Sequence, residues 1–256
     1  MATSARPTPQ APAIERPRFK DKAPSEFPSA EVNPYLSEHW NYGVPVLTAD
    51  QAWRYQGRWE EAFGRPGPLH VEIGSGNGFF LTELARRNPD WNVLGIEIRY
   101  KRVVMCADKL RKAGVTNARI SRYHAAYLDD LFLDGCMDGL YVNHPDPWPK
   151  TRHDKNRLIS RWFLEETARF LRPGGHFRLK SDFRPNIQRV AELLEGSPLP
   201  LKITGRSEDI THGDAPWPDD IETNYQSKFR LKGEPVYAIE VIRVDGQAPP
   251  RPVPPQ

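Results

Sequence analysis

Leu69-His-Val-Glu-Ile-Gly-Ser-Gly-Asn-Gly78 is an apolar strand that runs into glycines at positions 74, 76 and 78 and then into the helical pattern Phe79 to Arg87. Strand, tight turn and helix in that order open a doubly wound α/β domain. Gly74, Gly76 and Gly78 permit positive φ and let a ligand lie on the backbone, and the helix start offers unpaired N–H groups. A nucleotide-like ligand is expected on this turn. A dinucleotide fingerprint requires G-x-G-x-x-G, and Phe79 stands where its third glycine belongs, so the spacing argues against NAD. Glu72 argues the same way, because a carboxylate at the strand mouth repels a pyrophosphate and attracts a cation such as the ammonium of S-adenosylmethionine. Trp91 to Ile96 forms a second apolar strand ending on Glu97, where an acid can accept both ribose hydroxyls. That feature is common to NAD and adenosylmethionine enzymes. The plain alternative is a βα connection with no ligand, and the two flanking acids weigh against it.

Outward from this unit, the 256-residue chain suffices for one sizeable core with long tails. Much of its proline lies at the two ends. Residues 1–39 and 246–256 are expected to be flexible tails, since few clustered apolar residues are there to offset the entropy of ordering, with the folded domain over 40–245. No apolar run approaches 18 residues and no signal-peptide core is present, so a membrane partner is not expected. Cys106 and Cys136 lack a CxxC or histidine partner, which suggests free thiols in the reducing cytoplasm and no metal site. The acid-poor start Met-Ala-Thr-Ser-Ala-Arg leaves an organelle transit peptide open. Monomer and homodimer are both open.

Net charge is +3, but between Arg99 and Lys180 there are 17 Lys and Arg against 9 Asp and Glu. A polyanion partner is plausible there, beside the alternative of solvated helix faces. Upstream, Tyr35, Trp40, Tyr42, Trp53, Tyr55, Trp59 and Phe63 read as a cap on the sheet, the last four spaced for one helix face, or else as a base-stacking surface.

Downstream, a helix is expected over Arg99 to Ala113 and a third strand over Ala118 to Ser121, leading to His124 where the base of a bound adenosine would lie. A fourth strand, Leu140 to Asn143, introduces His144-Pro-Asp-Pro-Trp-Pro-Lys-Thr-Arg-His-Asp-Lys-Asn-Arg157. Its prolines bar helix and ladder pairing, so the backbone is stiff at the C-terminal edge of the sheet, where open α/β folds bind ligands. Asp146 is thereby placed near the glycine turn, and Lys150 and Arg152 follow as a phosphate-binding lip. An ordinary turn is the alternative. A helix over Arg157 to Leu171, a turn at Arg172-Pro-Gly-Gly, a fifth strand His176 to Lys180 ending on Ser181-Asp182, and a helix Pro185 to Leu194 complete the pattern. Ser207 to Asp220 reads as a mobile loop, and Val236 to Val244 as an antiparallel edge strand.

EIGSGNG at 72–78, GIE at 95–97, PDPWPKTRH at 145–153, RPGG at 172–175, SD at 181–182 and TNYQSKF at 223–229 resemble the TrmB family of tRNA (guanine-N7)-methyltransferases, which modify guanosine 46 of the variable loop. The glycine turn is common to many methyltransferases; the PDPW-x-K-x-RH run is far more specific. The resemblance implies a Rossmann-like class I fold, a mostly parallel seven-stranded sheet with an antiparallel edge strand. It implies S-adenosylmethionine as methyl donor and tRNA as partner. By resemblance, Glu72, Glu97, His124 and Asp146 join the three glycines around the cofactor. Lys150, Arg152, Asp182, Thr223, Tyr225 and Gln226 fall to the substrate. Three positions depart from the family pattern: His124 and Gln226 replace acids, and His144 replaces a phenylalanine.

The chemistry such a site needs is modest. Guanine N7 has an exposed lone pair and no proton, so it requires placement rather than a general base. Positive charge passes to the purine during transfer, and Asp146 or Asp182 is expected to stabilise it, the other accepting the guanine N1–H and amino group. Rival readings are a methyltransferase of another RNA or a small molecule, and an RNA-binding relative without turnover.

Overall fold

β2 (Leu69–Ile73) is buried at all five positions, which is why it reads as a continuous apolar run rather than an alternating one. The computed structural model describes residues 18–21, 23–26, 33–149 and 157–251. Lys150 and Arg152, residues 1–17 and residues 252–256 lie outside the described residues. β2 pairs in parallel with β3 (Asn92–Glu97) on one side and β5 (Met137–Asn143) on the other. β4 (Ala118–Arg122) follows β3, and the two-residue β1 (Val46–Leu47) closes that edge. Beyond β5 lie β6 (Leu171–Ser181), then β8 (Tyr237–Arg243), then β7 (Leu201–Ser207). The sheet therefore has eight strands in the order β1-β4-β3-β2-β5-β6-β8-β7. Connections leave β2 and β5 in opposite directions, so the C-terminal ends of these two strands form a switch point, the place where open α/β sheets bind ligands.

Two features of this sheet differ from the expectation. β1 adds an eighth strand that is too short for a period-2 pattern to mark. The antiparallel strand β8 is one position in from the edge, paired with both β6 and β7. Its apolar residues Ala238, Ile239 and Val241 are buried, and its one central acid, Glu240, is neutralised by Arg178 at 2.9 Å and accepts from Thr204 at 2.9 Å. β7 takes the edge, with its polar side chains alternating outward.

Helices cover both faces. α4 (Phe79–Arg87) starts on Gly78 and buries Phe80, Leu81, Leu84 and Ala85. α5 (Tyr100–Lys112) buries Val103, Val104, Cys106, Ala107 and Leu110 and turns its cations outward. α6 (Arg161–Phe170) begins later than expected, because the Ser160 side chain accepts from Phe163 N and caps it there. The Arg172-Pro-Gly-Gly turn forms an irregularity within β6. α7 (Arg184–Leu194) and α8 (Asn224–Lys232) follow. The aromatic segment forms two short helices, α2 (Ala49–Arg54) and α3 (Trp59–Phe63), separated by Gly57 at φ 71. Trp59 and Phe63 are core residues, and the Trp59 indole donates to Leu131 O at 3.1 Å, so this part is a cap on the sheet. The segment read as a mobile loop is anchored by buried Ile210 and Trp217, which pack with Val236 and Ala238.

Residues upstream of position 40 also pack on this domain. In α1 (Pro34–Asn41), Leu36 and His39 are buried. Asp21 accepts from His39 at 3.2 Å, Ala49 N at 2.9 Å and Arg122 at 2.7 Å. Burial raises its pKa, but these hydrogen bonds outweigh that and hold the carboxyl below its ordinary value.

Candidate active site

The C-terminal ends of β2, β3, β4, β5 and β6 deliver Glu72, Glu97, His124, His144 and Asp182 to one rim of the sheet. The glycine turn is suspended from β3: Gly74 N and Ser75 N donate to Ile96 O at 2.8 and 3.2 Å, and Gly76 N donates to Glu97 Oε2 at 2.9 Å. Glu97 Oε1 also accepts from Ile98 N at 2.8 Å and Arg99 N at 2.9 Å. Glu97 is thus a brace for the turn, with part of its acceptor capacity remaining for hydroxyls.

The three turn glycines differ in role. A Cβ at Gly74 would meet nothing within 4 Å, and at Gly76 only Gly74 O at 3.9 Å, so open space lies over both. A Cβ at Gly78 would sit 2.4 Å from Cys106 Sγ and 2.9 Å from its Cα. Gly78 therefore serves the packing of α4 against α5. Gly95 is a further packing glycine, whose absent Cβ admits the Ser75 hydroxyl beneath the turn.

Glu72 is 2 % exposed. Asn143 Nδ2 donates to its Oε1 at 3.1 Å, while Oε2 is buried without a protein hydrogen-bond partner among the described residues. Burial pushes the carboxyl up to about 7. A buried acid with an orphaned oxygen, beside a turn with open space over two glycines, fits a cation-bearing nucleoside: an ammonium at Glu72, a ribose at Glu97 and the backbone beneath. Asn143 was not singled out by the sequence; its place as last residue of β5 is the one signal that could have found it.

His124 is exposed and accepts from Ala126 N at 3.0 Å through Nδ1. Desolvation and then Arg122 lower its pKa, so its ring is neutral and held by the chain after β4. Phe19 and Tyr127 lie 6.5 and 5.7 Å away between ring centroids. An aromatic wall thus flanks the place expected for an adenine, and Phe19 carried no sequence signal for it.

Farther along the same rim, His144 connects Asp182 and Thr223, with Nδ1 3.2 Å from Asp182 Oδ1 and Nε2 2.9 Å from Thr223 Oγ1. The imidazole hydrogen bond, working against burial, holds the Asp182 carboxyl below its ordinary value. Tyr225 is 56 % exposed beside His144. Asp146 is exposed at the rim. The stiff loop shows its strain at His144 (φ 51) and Trp148 (φ 38), whose carbonyl accepts from Arg157 at 2.9 Å.

Thr223 and Gln226 lie one layer below this surface. The Thr223 hydroxyl caps α8 by accepting from Gln226 N at 3.0 Å. Gln226, 2 % exposed, accepts from Lys180 Nζ at 3.1 Å and donates to Ile210 O at 2.9 Å. Lys180 also donates to Asp220 and Ile221 O, both at 2.7 Å, which uses all three of its protons. Desolvation lowers the Lys180 pKa, and Asp220 opposes it. A lysine inside an apolar strand was the sequence signal for this buried network.

The family model described as "Putative methyltransferase" matches residues 66–239. A tRNA (guanine-N(7)-)-methyltransferase of Bacillus licheniformis is 35 % identical over 206 residues, 80 % of this chain and 92 % of that protein. A Streptococcus pneumoniae protein of the same name is 37 % identical over 183 residues, 72 % of this chain and 85 % of that protein. Among solved structures, the 16S rRNA methyltransferase KamB aligns at TM-score 0.54 and 19 % identity, over 73 % of this chain and 93 % of KamB, a likeness of fold. With the acid-flanked glycine turn on a doubly wound sheet, these matches establish that the chain belongs to the TrmB family of tRNA (guanine-N7)-methyltransferases, with a class I methyltransferase fold.

Proposed function

We propose that this protein methylates N7 of a guanosine in tRNA, guanosine 46 of the variable loop, with S-adenosylmethionine as donor. The observation that carries the reading is one rim of the sheet with two differently equipped sides. One side has the orphaned Glu72 oxygen and the open Gly74–Gly76 backbone. The other has the Asp182 carboxylate, a third exposed, beside exposed Tyr225.

When bound, S-adenosylmethionine supplies an electrophilic methyl group on a sulfonium. Glu72 would hold the methionine ammonium, Glu97 the ribose hydroxyls, and Gly74 and Gly76 the backbone contact, with His124 at the adenine. Asp182 accepts the guanine N1–H and amino group, Tyr225 offers a stacking face, and Asp146 meets the charge that develops on the purine. No side chain has to remove a proton from N7, so catalysis rests on orientation, which can supply several kcal/mol. Lys150 and Arg152 grip phosphates and set register on the RNA.

Incubation of purified protein with unmodified tRNA and isotope-labelled donor tests the reading. The expected product is 7-methylguanosine at position 46. Label at another RNA position or in a small molecule would favour the rival enzyme readings. Donor binding without transfer would favour a non-catalytic relative.

A further inference from the structure

We infer that His144 is a positioning residue for the methyl-accepting base, fixing the Asp182 carboxylate and the exposed Tyr225 ring in one frame. The inference deepens the proposed function and rests on it. His144 stands at the end of β5, Asp182 just beyond β6, and Thr223 at the N-cap of α8. One imidazole therefore ties three separate elements together at the rim of the sheet.

The hydrogen-bonding partners assign its protons. The Thr223 hydroxyl oxygen already accepts from Gln226 N at 3.0 Å, so its single proton is free to go to His144 Nε2 at 2.9 Å. An ionised Asp182 can only accept, so Nδ1 carries the proton donated across 3.2 Å. The result is a relay of fixed direction, from the Thr223 hydroxyl through the imidazole to Asp182.

Three further observations show a ring held rigidly. The His144 side chain is 5 % exposed, whereas Asp182 is 34 % exposed, so the partner it orients is the one open to a ligand. His144 adopts φ 51, a conformation disfavoured for a residue with a Cβ, and its N–H is secured on Lys180 O at 2.8 Å. Its ring lies over Phe229 at 6.1 Å and 17°, and against Tyr225 at 5.3 Å and 32°. A phenylalanine could supply the ring contacts but neither hydrogen bond. Carboxylate and exposed aromatic, held at a fixed relation, are what an in-plane hydrogen bond and a stacking contact to one purine require.

The test compares His144→Phe, which keeps the ring and loses both bonds, with His144→Asn, which keeps a donor toward Asp182. For His144→Phe, kcat on tRNA should fall about tenfold to a hundredfold with a smaller rise in KM and unchanged adenosylmethionine affinity, as expected when a base is slightly misplaced. His144→Asn should recover most of kcat. Wild-type turnover in His144→Phe, or parallel loss in both variants together with cofactor affinity, would overturn the inference. NMR of isotope-labelled histidine in the wild type and in Asp182→Ala reads the link without activity: a hydrogen-bonded Nδ1 proton should be present in the first and gone in the second, and an unchanged signal counts against it. A wild type inert toward N7 of tRNA guanosine would sink the functional reading itself, even where the NMR signal confirms the link.

Discussion

Asn143 Nδ2 donates to Glu72 Oε1 across adjacent parallel strands at 3.1 Å, while the second oxygen of Glu72 is buried without a protein partner among the described residues. One half of the carboxylate is fixed by the fold and the other half has no protein partner among the described residues. Such an arrangement costs stability, and in the proposed role of Glu72 it would make cofactor binding and ionisation one linked event.

The pH dependence of the free protein should report this. The Glu72 pKa is raised from 4.5 to about 7 on folding, so its contribution to stability is complete below pH 4.5 and is lost as pH rises through about 7. The contribution is on the order of 3 kcal/mol. Urea unfolding across this range should show the decline in the wild type and not in Glu72→Gln.

Cofactor affinity should move in the opposite sense. Only ionised Glu72 attracts an ammonium, so adenosylmethionine affinity should rise with pH up to about 7, by at most about tenfold per unit. Calorimetry in buffers of different ionisation enthalpy should detect proton release. Asn143→Ala should weaken binding further, by about 1–3 kcal/mol, since it strips the remaining partner from a buried acid.

Gly74 and Gly78 should separate binding from folding. Alanine at either position adopts a positive φ, at φ 78 and φ 75, and suffers backbone strain, about 1–2 kcal/mol. Gly78→Ala additionally meets the Cys106 backbone and should lose a further 1–3 kcal/mol, roughly, from overpacking. Gly74→Ala should fold and lose adenosylmethionine affinity. Denaturant melts and cofactor titrations of both variants check the contrast.

Gln226→Glu should act on stability before specificity. The glutamate would leave Ile210 O without its donor and set a second carboxylate beside Asp220 around one ammonium. A loss of about 1–3 kcal/mol is expected. The proportion of label at guanine N7 should not change; a shift to another base would place Gln226 in direct contact with the substrate.

Replacing Lys150 and Arg152 together by alanine should weaken tRNA binding uniformly and lower the magnitude of the salt slope by roughly one to two, one lost phosphate contact each. A slope equal to that of the wild type would remove both from the phosphate lip.

The fold was legible wherever a pattern concerns one element's own faces. The run from Leu69 to Gly78 and the helical spacing of Phe80, Leu81, Leu84 and Ala85 each declare their local structure. β8 was misplaced by one strand because alternation cannot say whether a strand has one neighbour or two. The aromatic segment divided into α2 and α3 because Gly57 outweighed the helical spacing around it.

By itself the sequence determined the strand–turn–helix unit and the acids beside it, because these follow from backbone freedom and side-chain period within a few residues. Only the tertiary structure decided that Asn143 holds Glu72 from 71 positions away, that His144 reaches Asp182 and Thr223 at separations of 38 and 79, and that Arg122 secures Asp21 at 101. The physical reason is that periodicity specifies which face of an element is buried and carries no information about what meets it. Hydrogen-bond partners and desolvation, and with them the raised Glu72 pKa, arise only when distant strands end at the same rim.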